Sequence, residues 1–184
     1  MGAKLWTRIL AASLFAVTFS PAVSPQDKSA GPVIPQARPA DVASIEAIVA
    51  AVYDVISGPA GQKRDWDRMR SLFIPGGRLI PVTRSGGESA ARVLSVEDYI
   101  TRTAAILEER GFFEREIASR REAFGHIAHV FSTYESRRDS KDKVPFNRGI
   151  NSFQLMNDGR RWWIVTVFWE AEGPDVSIPP EYLK

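Results

Sequence analysis

"NRGINSFQLMNDGRRWWIVTVFWEAE", residues 147 to 172, is the stretch that decides how this chain folds. It contains two runs that read as extended strands, separated by Asn157-Asp158-Gly159, three residues that favour turns. It also carries three of the chain's five tryptophans, Trp162, Trp163 and Trp169. Neighbours on a strand point to opposite faces, so Trp162 and Trp163 divide between the two faces, while Trp163 and Trp169 share one. A three-residue loop with a bulge puts Asn151 on the face of Trp163, Val165, Val167 and Trp169. A two-residue Asp158-Gly159 loop moves Asn151 to the face of Trp162 and Ile164. The first arrangement is expected, with Asn151 on a pocket wall of Val167 and Trp169 and with Trp162 on the other face. The tryptophans then form no single stacking platform.

Working outward, two more segments carry strand patterning: "FFEREIASRREAF" (112–124) and "HIAHVFSTYESRR" (126–138). Together with 146–156 and 160–172 they predict four long strands, joined by a turn at Gly125, the polar loop "DSKDKVP" and the turn at 157–159. Before residue 112 the apolar spacing is helical. Asp41 can cap a helix through 42–56, where Ile45, Ile48, Val49, Val52 and Ile56 recur at helical intervals and Ser57-Gly58-Pro59 stops it. Asp65 caps a short second helix, "WDRMRSLF", that Pro75-Gly76-Gly77 ends. "RLIPV" is a brief extended piece. Ser95 and Asp98 have capping-box spacing and open a third helix that Gly111 closes. Helices first and an antiparallel meander after them is an α+β pattern.

The N-terminal residues have a different character. Lys4 and Arg8 precede an apolar run from Ile9 to Phe19, and Ser20-Pro21-Ala22 offers small residues for cleavage. That is the pattern of a secretory signal over residues 1–22, and the run is about half the ~20 residues a membrane span needs. The expectation is an exported chain, periplasmic or secreted, with no stable membrane anchor after processing. Residues 23–40 hold four prolines among small and polar residues and read as a flexible tether. Residues 41–172 then form one domain, with 173–184 as a C-terminal extension.

The chain has 184 residues, with 24 Lys+Arg, 22 Asp+Glu and no cysteine. Losing Lys4 and Arg8 leaves 22 charges of each sign, so the mature surface lacks the basic excess that a nucleic-acid partner requires. Without cysteine there is no disulfide framework, and stability must come from the core. His126 and His129 are three apart on a strand and face opposite ways, so no transition-metal site is expected, and no cofactor. Asp65 and Asp67 are explained by helix capping, and "RSGGES" lacks the lysine and helical context of a phosphate loop.

The order of elements, with "YDVISGPAG" (53–61), "DWDRMRSLFIPGG" (65–77) and "FQLMNDGRRWWI" (153–164), resembles the nuclear transport factor 2-like superfamily. "RGINSF", "RWWI" and "IPPEYL" look like its exported members. The resemblance implies a ketosteroid isomerase-like cone, three N-terminal helices packed in a curved, mostly antiparallel sheet. It implies that Tyr53 corresponds to the isomerase tyrosine and Asn151 to the oxyanion-binding acid, where an amide can still donate a hydrogen bond. The isomerase base falls at Ile80 or Pro81, neither of which accepts a proton. Asp54, beside Tyr53, resembles the tyrosine-aspartate pair of dehydratases in the superfamily.

The same resemblance turns the face of His126, Ala128, Val130, Ser132 and Tyr134 toward the cavity, which makes His126 the candidate acid or base. Tyr53, Trp66, His126, Ser132, Tyr134, Asn151 and Trp169 are the expected ligand contacts. Their mix of apolar walls and few polar groups suits a small, largely apolar ligand. The alternative is a dehydratase, isomerase or cyclase that transfers a proton with Tyr53, His126 and Asn151. A third reading is a partner-binding module. The resemblance also implies a homodimer through the outer sheet face.

Overall fold

A computed structural model describes residues 34–184. The expected signal segment and residues 23–33 of the expected tether lie outside the described residues. Residues 34–40 lie along the domain rather than away from it: Ala37 packs on the core and Arg38 pairs with Asp65 at 2.7 Å.

Helix α1 (Ile45–Ile56) places Ile48, Val49, Val52, Tyr53 and Ile56 in the core. Its cap is Ser44, whose Oγ accepts from the Ala47 amide at 3.1 Å, and not Asp41 as the sequence suggested. Asp41 lies in a preceding 3₁₀ turn, where its carboxylate accepts from Arg68 Nε and Nη2 at 2.7 and 2.9 Å. A bidentate ion pair is a stronger competitor for that carboxylate than one helix amide. The other carboxylate on Arg68 is Asp54, so Asp54 is an exposed ion-pair partner.

Buried Arg64 then joins two helix ends. Its guanidinium donates to the carbonyls of Ile56, Gly58 and Leu107, at 3.0, 2.6 and 3.2 Å, which gathers the C-terminal ends of α1 and of the helix Val96–Arg110 on one cation. Helix α2 (Trp66–Leu72) is capped by Asp65 as expected, which accepts from the Arg68 amide at 2.9 Å.

Strand β1 (Phe73–Ser85) is far longer than "RLIPV", because the chain continues through Gly86 and Gly87 into a hairpin with β2 (Glu88–Ala91). Both glycines have positive φ, 60° and 84°, the requirement of a tight I′-type turn. After the two-residue β3 (Leu94–Ser95), α3 (Val96–Arg110) opens with both bonds of the Ser95/Asp98 capping box. Strands β4 (Phe113–Phe124), β5 (Ile127–Arg137), β6 (Asn147–Asn157) and β7 (Trp162–Ala171) follow within a residue or two of expectation.

The sheet order is β2-β1-β7-β6-β5-β4, with β3 on β1. The third helix comes after three strands, which corrects the expected N-terminal block of helices. The sheet is mostly antiparallel as expected, with β1 running parallel to β7. The parallel pair arises because the chain crosses the sheet through α3 and the meander before returning to β1's side. One sheet face packs on α1 and α2 through Ala128, Val130, Phe153, Leu155, Ile164 and Val167. The other is partly covered by residues 173–184, where Tyr182 packs on the Phe131 ring at 5.1 Å and accepts from Thr133 Oγ1 at 2.6 Å. Among the described residues no helix is long and apolar enough to cross a membrane.

The last hairpin differs from both expected forms. Asn157 pairs with Trp162 across a four-residue loop, whose Asp158 carboxylate accepts from the amides of Arg160 and Arg161 at 2.8 and 2.9 Å. The bulge lies inside β7: Gln154 opposes Thr166 and Leu155 opposes Ile164, leaving Val165 unpaired. An extra residue reverses the alternation beyond it. Trp162 and Ile164 therefore join Val167 and Trp169 on the inner face with Asn151, and Trp163 turns outward, the reverse of the expected division. Outside, Trp163 stacks under the Arg161 guanidinium at 3.7 Å and donates to Asp158 at 2.7 Å. Trp162→Ala is therefore expected to destabilise the chain by about 2 kcal/mol more than Trp163→Ala, measured by urea unfolding. Equal costs would argue against the bulge.

Candidate functional site

The inner face of β5 carries three hydroxyls among its apolar residues, Ser132, Tyr134 and Ser136, all buried. Opposite them on β4 stand Glu116, paired with Tyr134, and Glu114, paired with Ser136. Two carboxylates thus point toward the helix side of the sheet, while Ile117 on the same strand is 38% exposed. Strand β4 is an edge strand, and its outward-facing charges are the usual defence of such an edge.

A hydrogen-bonded chain ties these groups to α1. Ser132 Oγ donates to Glu116 Oε2 at 2.5 Å, so its contact of 2.7 Å with the Tyr53 hydroxyl must receive the tyrosine's proton. Tyr53 then has only a lone pair to offer Asn151, whose Nδ2 donates to it at 3.0 Å. The same amide nitrogen faces Glu114 Oε1 at 3.5 Å. Both needs fix the amide's orientation, and its oxygen is the acceptor left over. Burial drives the Tyr53 phenol upward, with Glu114 adding to the effect, so the hydroxyl stays protonated.

Glu114 is the group with the most unusual surroundings. Its amide donates to Ser57 Oγ at 3.0 Å, which fixes the start of β4 to the end of α1. Ser136 Oγ donates to its carboxylate at 2.7 Å. Burial nevertheless pushes this carboxyl from its ordinary 4.5 up to about 7, opposed only in part by Ser136 and Asn151. The nearby arginines are occupied elsewhere: Arg115 and Arg137 by Glu135, Arg121 by Glu46 and Glu116.

A cavity of about 220 Å³ lies above Glu114, enclosed by Val52 and Ile56 of α1, Met69 of α2, Leu79, Tyr99, Phe112, Val167 and Trp169. Its polar lining is Glu114, Tyr134, Ser136, Asn147 and Asn151. Gly149 helps to build it. A Cβ there would lie 2.6 Å from the Tyr134 hydroxyl and 2.3 Å from the Glu170 carbonyl, so only glycine lets that phenol sit against β6.

Of the residues singled out from the sequence, Tyr134, Asn151 and Trp169 line this cavity. Tyr53 and Ser132 lie beneath it in the hydrogen-bonded chain, with Tyr53 also facing a groove between α1 and β4. Trp66 is half-buried at the side of α2 and donates to Glu108 at 3.0 Å. His126 stands exposed in the two-residue turn between β4 and β5, outside the strand whose alternation it was expected to continue. Among the described residues no group of three or more His, Asp or Glu is placed to hold a metal ion.

Glu114 itself escaped the sequence reading. In "FFEREIASRREAF" alternation alone does not tell which face of the strand is buried, and neither glutamate carries a local signal of its own. The signal lay on the neighbouring strand, where Ser132, Tyr134 and Ser136 recur at two-residue spacing among core positions.

A carboxyl whose pKa is raised by folding binds its proton more tightly in the native protein than in the unfolded chain. Its contribution to stability is full below about pH 4.5 and is lost as pH rises through about 7, by at most about 3 kcal/mol. Glu114→Gln removes that loss. Relative to wild type it should gain about 1–3 kcal/mol between pH 4 and pH 8, measured by denaturant unfolding at both pH values. Parallel stability profiles would contradict the raised carboxyl.

No family model matches this sequence, and no curated protein matches it. Solved structures do. A protein of unknown function with a cystatin-like fold from Nostoc punctiforme is 13% identical, with 71% of this chain and 90% of that one covered and a TM-score of 0.54. An uncharacterized protein with a cystatin-like fold from Caulobacter vibrioides is also 13% identical, over 72% and 90% of the two chains, with a TM-score of 0.51. An NTF2-like protein of unknown function from Methylobacillus flagellatus, at 15% identity, covers 71% of this chain and 95% of its own, with a TM-score of 0.46. At such identities the likeness is one of fold. With two helices, a hairpin strand, a third helix and a four-stranded meander, the chain shares the cystatin-like fold of the first two of these proteins.

Proposed function

We propose that the chain binds a small, largely apolar molecule in its cone. The observation that carries this reading is the cavity above Glu114, where apolar and aromatic walls enclose a few converging polar groups, the composition of a ligand site. Its volume equals that of about seven water molecules, so the ligand is smaller than a typical drug-sized molecule. A second cavity of about 190 Å³, between Phe131, Ile150, Phe168 and Ile178 on the outer face, is a weaker candidate. The carboxylates beside it are already occupied, Glu170 by Arg84 and Glu172 by Arg148.

A second reading is favoured by one observation, the carboxyl near 7 in that cavity beside Asn151. Such a group can both take and return a proton near neutrality, so a dehydratase, isomerase or cyclase type of reaction would place Glu114 in the role expected of His126. Tyr53 would position Asn151 from below without touching substrate.

We further propose that the chain acts after export, in the periplasm or outside the cell. Lys4, Arg8 and the apolar run from Ile9 to Phe19 support this. The outer sheet face, with Phe168 42% exposed, is the surface proposed for a homodimer.

One experiment addresses binding, catalysis and export together. Protein recovered from the exported fraction should be shorter by about 22 residues on intact-mass analysis. Native mass spectrometry should then show a small organic molecule that is released on denaturation and is lost in Val167→Phe, which fills the cavity. Recovery of an empty chain whose thermal stability no small apolar molecule raises would overturn the binding reading. Recovery of the uncleaved chain in the cytosol alone would overturn export. Conversion of the released molecule by wild type but not by Glu114→Gln would establish the catalytic reading over simple binding.

A further inference from the structure

The cavity's hydrogen-bonding groups are unequal in kind. Ser136 commits its proton to Glu114, and Asn151 commits its amide nitrogen to Tyr53 and Glu114. Asn147 and Tyr134 complete the polar lining away from Glu114. At the Glu114 end these bonds leave over two acceptors, the Glu114 carboxyl and the Asn151 amide oxygen. A ligand that fits this lining brings donors with it.

The charge around the cavity points the same way. No arginine, lysine or histidine is among its lining residues, and Glu114 is the one lining side chain that is acidic at ordinary pH. Charged groups do approach Glu114 from the far side, toward the grooves between α1 and β4 and beside the β5–β6 loop: Asp54, Arg115, Glu116, Arg121, Arg137 and Asp142. Each of these arginines is paired with a glutamate other than Glu114, and Asp54 is held by Arg68. An anion entering the cavity would meet no cation and would face a carboxyl. A cation would meet an unpaired carboxyl and three electron-rich rings, since Tyr99 and Trp169 stand edge to face at 6.3 Å and Tyr134 closes the β5 side.

Resting on the reading that the cone binds a small apolar molecule, we propose that this molecule is a primary amine on an apolar or aromatic frame. Its ammonium donates to Glu114 and Asn151 Oδ1, and its frame lies against Tyr99, Tyr134 and Trp169. An ammonium supplies three donors on one atom, which matches an acceptor-rich end, and a carboxylate is its strongest partner in a partly dry site. Burial disfavours the ionised form of Glu114 in the empty cavity, so arrival of the ammonium displaces the carboxyl's proton. Below neutrality, amine binding should therefore release up to one proton per ligand.

The test uses three probes of similar shape on the full chain: 2-phenylethylamine, 2-phenylethanol and phenylacetate. Calorimetry at pH 6 in two buffers of different ionisation heat reads both affinity and proton release. The amine is expected to bind about tenfold or more tightly than the alcohol, the acid more weakly than either, with proton release for the amine alone. Glu114→Gln should remove the amine's advantage and its proton release while leaving the alcohol's affinity within about threefold, which also shows that the variant is folded. If the alcohol or the acid binds as tightly as the amine, or if Glu114→Gln retains the preference, the amine assignment is overturned while ligand binding stands. If none of the three probes binds, the amine assignment falls. If, in addition, no apolar molecule raises the thermal stability, the binding reading falls with it.

Discussion

The structure depends on a single buried relay of hydrogen bonds from Asn151 through Tyr53 and Ser132 to Glu116. Its members come from β6, α1, β5 and β4, so the relay joins the first helix to three consecutive strands. Each bond has a determined direction, because Ser132 has one proton and gives it to Glu116. A relay of this kind is worth more as a device for register than as a sum of bonds. Sliding α1 by one residue would leave a buried phenol and a buried amide unpartnered at about 1–3 kcal/mol each.

The relay also decides what the cavity can offer. It takes both the proton and the lone pair of Tyr53, and so withdraws that residue from any ligand. Glu114 has no comparable saturation. With one serine at 2.7 Å and one amide at the limit of contact, its carboxyl is held by dipoles and opposed by burial. Two glutamates two residues apart on one strand thus have different duties, Glu116 closing the relay and Glu114 facing the cavity. Position relative to Ser132 and Ser136 separates them, not residue type.

Much of the fold could be read from the sequence, for physical reasons particular to each element. Strands β4 to β7 follow from local patterning, and the caps at Asp65 and Ser95 from local chemistry that nothing distant disturbs. Asp41 failed as a cap because Arg68, 27 residues away, competes for its carboxylate. The length of β1 was hidden because "RLIPV" alternates poorly and its partner β7 lies some 90 residues downstream, a pairing that only the closed sheet reveals. At the site, Tyr134, Asn151 and Trp169 were placed by alternation combined with resemblance. Glu114 was missed because alternation alone does not tell which face of its strand is buried, and the signal lies in the serines of the next strand. His126 was misplaced by one residue, since alternation holds within a strand and ends where the turn begins.

The unpaired Val165 makes β7 two half-strands that are out of phase with each other. In the half near the loop, inward positions are even-numbered, Trp162 and Ile164; in the half beyond it they are odd-numbered, Val167 and Trp169. Any distant relative that lacks the extra residue will match this chain residue for residue on one side of Val165 only. An ungapped comparison across it sets core positions against surface ones, and the two adjacent tryptophans will exchange their apparent meaning. A gap placed at Val165 is the alignment that geometry requires.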